Sequence, residues 1–117
     1  MKTFDVTSEQ RGDTVLVRLS GELDISSAPK VEDELARVEP DRPGVIVLDL
    51  RNLAFMDSTG LRLLIAADTR ARQQDRRLTI VKGPETVQRV FRITRLEERL
   101  EIVDDVPADD SAARPAS

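Results

Sequence analysis

The chain of 117 residues contains no histidine and no cysteine. Lack of cysteine rules out disulfides and thiolate metal sites, and lack of histidine removes the commonest metal ligand and the commonest general base. Tryptophan and tyrosine are absent too, and Phe4, Phe55 and Phe91 are the whole aromatic content. Three phenylalanines give no platform on which nucleic-acid bases could stack. No apolar run approaches the roughly 20 residues of a membrane span. The opening Met1-Lys2-Thr3-Phe4-Asp5 lacks the apolar segment of a secretion signal, so a cytoplasmic location is expected. There is no glycine-rich phosphate loop, and no cofactor or metal is expected.

What is present is the composition of one soluble globular domain: 39% apolar and 34% charged residues, with a net charge of -4. Asp104, Asp105, Asp109 and Asp110 against Arg114 place most of the acidic excess in the last segment. A domain over residues 1–103 is therefore expected, followed over residues 104–117 by an acidic tail that has only Val106 as an apolar anchor and reads as disordered. The arginines of the second half are interleaved with apolar positions at helical spacing and with Asp68, Asp75, Glu97 and Glu98. They read as solvated helix faces, and no direct contact with nucleic acid or membrane is expected.

Thr14 to Ser20 alternates apolar and polar residues, the period of a half-covered strand, and Phe4 to Thr7 is expected to pair with it through a turn at Gly12-Asp13. Ser26-Ser27-Ala28-Pro29 predicts a serine-capped helix running to about Val38. Val45 to Leu50 is a near-continuous apolar run, the pattern of a central strand covered on both faces. Leu61, Leu64, Ile65 and Ala71 recur with helical spacing over about four turns. Arg77 to Val81 reads as a strand, Pro84-Glu85 opens a third helix through Val87, Val90 and Phe91, and Leu100, Ile102 and Val103 suggest a last short strand. Strands alternating with helices predict an α/β domain: a mixed, mostly parallel sheet of four to five strands packed with three to four helices.

Between the central apolar run and the following helix stands Phe55-Met56-Asp57-Ser58-Thr59-Gly60. Strand, polar elbow and helix in that order place Ser58 at a helix N-terminus with its hydroxyl able to face solvent. A serine displayed there without a base is better suited to receiving a group than to attacking a substrate. Gly60 is small enough to let another backbone approach, and Phe55 and Met56 can serve as apolar contacts beside it. Bland readings stand beside these. Asp57 or Ser58 can be an ordinary helix cap, Phe55 and Met56 core residues closing a strand, Asp24 a cap for the turn before Ser26, and Asp49 a strand residue hydrogen-bonded locally.

Gly21-Glu22-Leu23-Asp24, Val45 to Leu50, Phe55 to Leu61 and Val87 to Thr94 together resemble the STAS domain of bacterial anti-sigma factor antagonists, over about Phe4 to Val103. The resemblance implies the STAS fold and a partner switch. The unmodified domain would bind an anti-sigma factor that is also a serine kinase of the GHKL ATPase type, freeing a sigma factor. The kinase would phosphorylate the serine matching Ser58, and a PP2C-type phosphatase would restore the binding form. The implied partner surface comprises Asp24, Phe55, Met56, Asp57, Ser58, Thr59 and Gly60, with Thr59 standing where the family often has a second serine. A C-terminal helix, common in the family, finds a poor candidate in residues 104–117. The alternative reading is a scaffold or regulatory subunit of a stress-sensing or transport complex with the same fold. An enzyme using Asp57 and Ser58 as acid and nucleophile lacks a base and a Gly-x-Ser-x-Gly elbow, so no enzymatic activity is expected.

Overall fold

The computed structural model describes residues 4–107. A hairpin opens it: β1 (Asp5–Arg11) lies antiparallel to β2 (Thr14–Leu23), with Arg11 opposite Thr14 across the Gly12-Asp13 turn. Then follow α1 (Ala28–Val38), β3 (Val45–Met56), α2 (Ser58–Gln73), β4 (Arg77–Val81), α3 (Glu85–Thr94) and β5 (Glu101–Val103). The strands stand in chain order in one five-stranded sheet, and β2 to β5 run parallel. The predicted α/β class, the mostly parallel sheet and its three helices are all present.

Strand alternation sorts the core into two layers. Val15, Val17, Leu19, Ile46, Leu48, Leu50, Leu78 and Ile80 share the main cluster with Val31 and Leu35 of α1, Leu64 and Ala67 of α2, and Val87 and Phe91 of α3. Alternate residues Leu16, Val47 and Val81 form a second cluster that contains no helix residue. Parallel crossovers of constant hand that always step in the same direction put every helix on one face. The run Val45 to Leu50 is covered on both faces, as expected, and among the described residues helices cover one of them. On the other, Leu16, Val47 and Val81 are packed by Val45, Val103 and Val106.

Polar groups complete that second face. Asp49, 2% exposed, accepts from the Arg51 backbone N–H and, through both oxygens, from the Arg51 guanidinium at 3.0 Å. Arg18 approaches it at 3.8 Å. Arg51 also reaches Asp105 at 2.9 Å, and Lys82 reaches Asp104 at 2.9 Å. The residues just past Val103 are thus held against the sheet. The rest of the expected tail, residues 108–117, lies outside the described residues. No helix follows β5 among the described residues, and none of the described helices is long and apolar enough to cross a membrane.

The remaining boundaries shift for local reasons. Ser27 precedes α1 but its hydroxyl makes no capping bond. It donates to the Glu22 carbonyl at 2.7 Å and accepts from the Asp24 N–H at 2.9 Å, so it ties the loop together and leaves the helix uncapped. α2 begins three residues before Leu61, because Asp57 caps it.

Burial works against the ionised form of Asp49, and the Arg51 side chain and backbone N–H overcome it, holding the carboxyl below its ordinary value. A carboxylate lowered in the folded state contributes stability that is present above its unfolded value and lost as pH falls through the folded one. Arg51→Ala should cost about 1–3 kcal/mol at neutral pH by leaving a buried carboxylate without its donors. Chemical denaturation at pH 7 and below pH 4 checks this: the difference between parent and variant should shrink on the acid side.

Candidate functional site

The register of β3 against β2 sets the site. Arg18 pairs with Asp49 but Ser20 with Asn52, and Gly21 pairs with Leu53 but Glu22 with Phe55. At each step β3 carries one extra residue, a bulge that re-aims the side chains beyond it. Inward residues accordingly follow as Leu48, Leu50, Leu53 and Met56, and Phe55 is turned outward to 45% exposure. The bulges also explain why β3 runs six residues beyond the expected end at Leu50.

At the end of the sheet Leu23 pairs with Met56, and the Leu23 carbonyl accepts from the Asp57 N–H at 3.2 Å. Asp24-Ile25 and Asp57-Ser58 therefore leave the sheet side by side. Asp57 is extended, and its Oδ1 accepts from the Thr59 N–H at 2.9 Å and the Gly60 N–H at 3.3 Å. It is the helix cap, and the bland reading holds for it: its carboxylate is occupied by the first free N–H groups of α2. Ser58 is the first residue of the helix and is exposed, Thr59 is half-buried, and Ser58 Oγ has no hydrogen-bond partner among the described residues. No side chain there draws off its proton. No group of three or more acidic, histidine or cysteine side chains that could hold a metal occurs among the described residues.

Asp24 likewise has structural work. The Ser26 hydroxyl at 2.7 Å, the Ser26 N–H at 3.0 Å and the Ser27 N–H at 3.2 Å all donate to its Oδ1. The Ser26 hydroxyl above all, against the opposing effect of burial and with help from these N–H groups, holds the carboxyl below the usual range. The turn it caps projects Ile25, which is 77% exposed. Sequence reasoning passed over Ile25. An isoleucine between Asp24 and Ser26, in a stretch with no strand or helix period, was the available signal.

Two of the seven expected surface residues point inward. Met56 is 1% exposed and belongs to the core. Gly60 is buried, and a Cβ there would meet Met56 Cγ at 2.7 Å and Leu23 Cγ at 2.8 Å. The glycine is needed for the helix to close on the sheet end, which corrects its expected role of admitting a partner's backbone. The surface that remains is Asp24, Ile25, Phe55, Asp57, Ser58 and Thr59. Two open clefts lie elsewhere: one of about 780 Å³ near Glu39, Arg42 and Gln73, another of about 470 Å³ near Gly83 and Gln88.

Comparison with known proteins bears on this arrangement. The family described as STAS domain matches residues 5–108. The anti-sigma-B factor antagonist of Staphylococcus aureus is 33% identical over 86 residues, covering 74% of this chain and 80% of that protein. Among solved structures, an anti-sigma factor antagonist from Mycobacterium paratuberculosis superposes with a TM-score of 0.84 at 24% identity, covering 97% of this chain and 96% of that one. The Bacillus protein SpoIIAA, in its unphosphorylated form, gives 0.75 at 22% identity over 98% and 100% of the two chains. In its phosphorylated form it gives 0.66 at 21% over 96% and 98%. Below 25% identity these structural likenesses concern the fold.

Gly60→Ala should destabilise the protein by about 1–2 kcal/mol, since overpacking against Leu23 and Met56 outweighs the gain in helix propensity. The loss should appear in Tm, and Met56→Ala should cost less in the Gly60→Ala background than in the parent, since truncation at 56 removes part of the clash.

Proposed function

We propose that this chain, which belongs to the STAS domain family of anti-sigma factor antagonists, works as a partner switch controlled at Ser58. The unmodified protein binds an anti-sigma factor that is also a serine kinase of the GHKL ATPase type, and so releases a sigma factor. The observation that carries the reading is Ser58 itself, exposed at the start of α2 on a surface that also presents Ile25 and Phe55. The 33% identity to an anti-sigma-B factor antagonist supports the partner class, and the existence of SpoIIAA in unphosphorylated and phosphorylated forms supports the kind of modification.

The chemistry divides between the two proteins. Ser58 Oγ accepts the γ-phosphoryl group of ATP, ADP leaves, and the hydroxyl proton passes to a base on the kinase, because no base adjoins it here. A PP2C-type phosphatase returns the hydroxyl by hydrolysis. Asp57 holds the first turn of α2 in place for this exchange, and Asp24 holds the neighbouring turn.

Magnitudes decide what the phosphate does. It brings about -1.5 to -2 charges and three acceptor oxygens to the first turn of α2. At a helix start this gains about 0.3–1 kcal/mol, offset in part by the Asp57 carboxylate. At an interface a like charge or an apolar patch opposite the phosphate costs several kcal/mol, a loss of about 10²-fold or more in affinity. The second effect is the larger, so modification changes association and leaves the fold intact.

With a kinase encoded beside this protein and ATP, label should enter the parent and be lost in Ser58→Ala; persistence of label in that variant overturns the assignment. Ser58→Asp should weaken the complex by about 10²-fold in a calorimetric titration. Ile25→Ala and Phe55→Ala should each weaken it by at least about 1 kcal/mol while leaving Tm within a degree or two, as exposed apolar contacts do. Recovery of transport subunits in a pull-down, in place of an ATPase-type kinase, would favour the scaffold reading.

A further inference from the structure

Arg62 follows Ser58 by one turn of α2, and both side chains are exposed. Residues four apart on a helix share a face with Cβ atoms about 5–6 Å apart, and helical side chains lean towards the N-terminus. Arg62 is thus placed to reach back over the turn that displays Ser58. Other arginines of α2 have counterions: Arg70 meets Glu39 at 2.9 Å and Arg72 meets Asp68 at 2.8 Å. Among the described residues Arg62 has neither an ion pair nor a hydrogen bond. Nor do the neighbouring carboxylates compete for it, since Asp57 is taken up by the N–H groups of Thr59 and Gly60 and Asp24 by Ser26 and Ser27. The exposed face of the first two turns carries a hydroxyl and a cation without an acid.

We infer that Arg62 is the intrachain counterion of phosphoserine 58, closing on the phosphate once Ser58 is modified. The inference rests on the reading of Ser58 as phosphoacceptor and specifies how the modified state is held. An acid preceding a base by four residues is the favourable order on a helix, and a guanidinium offers several N–H donors to phosphate oxygens. The unmodified hydroxyl gives Arg62 nothing to neutralise, so the pair exists in one state of the switch and is absent from the other. Arg62 is a positioning residue: it fixes the phosphate over α2, favours the dianion, and withdraws the group from a phosphatase, lengthening the life of the released form.

The test uses full-length protein with phosphoserine incorporated at position 58 during translation, so that no kinase is needed. The second ionisation of the phosphate is followed by phosphorus NMR. Arg62→Gln should raise it by about 0.3 pH unit, Arg62→Lys should restore part of the shift, and Arg42→Gln, which removes one positive charge from the turn before β3, should leave it unchanged. Release of phosphate by a PP2C-type phosphatase should be about twofold faster for Arg62→Gln than for the parent. Identical titrations and identical release rates in parent and Arg62→Gln overturn the inference, even where Ser58 is a good kinase substrate. Failure of a kinase to label Ser58 strikes the proposed function and does not alter these two measurements.

Discussion

The close meeting of Leu23, Met56 and Gly60 fixes the end of the sheet. Leu23 and Met56 are opposed across β2 and β3 and both are buried, and α2 can start directly above them because position 60 has no side chain. Everything exposed at that end follows from this contact. Asp57 must leave the strand extended to reach the helix, its carboxylate then falls within reach of the Thr59 and Gly60 N–H groups, and Ser58 is left outside as the first helical residue. A bulkier residue at 60 would lift the first turn and with it the Ser58 hydroxyl.

Most of the fold could be read from periodicity. Val15, Val17 and Leu19 alternate as a strand should, and the spacing of Val87, Val90 and Phe91 gives α3 its buried face. The later half of β3 was not readable, because two bulges change the inward spacing from every second residue to every third, and Leu50, Leu53 and Met56 then mimic neither strand nor helix. The same bulges decided the site. Alternation alone cannot say that Met56 turns in and Phe55 turns out, and a glycine's role depends on neighbours such as Leu23 that lie far away in the chain. Ser58 and Asp57 were legible since strand, polar elbow and helix follow one another directly. Ile25 was not, because it stands in a turn whose projection is set by the Asp24 hydrogen bonds.

Charge on the second sheet face plays a different part from charge at the Ser58 end. Asp49, Arg51 and Asp105 form a chain of contacts from the middle of the sheet to the segment after β5, and Lys82 with Asp104 adds a neighbouring pair. These exposed pairs are each worth little alone, but Asp49 is buried and so fixes the arginine that carries the rest. With no helix over this face among the described residues, that arrangement and Val106 close the layer containing Leu16, Val47 and Val81.

Among the described residues β1 and β5 form the edges of the sheet, and each is a poor template for strand addition. β5 offers a run of three residues, and β1 alternates Asp5, Thr7, Glu9 and Arg11 along one face with Val6 and Ser8 partly buried on the other. Short or charged edges discourage backbone pairing with a neighbouring chain. Ile25 and Phe55 can therefore be carried in the open by a molecule whose borders resist self-templated aggregation.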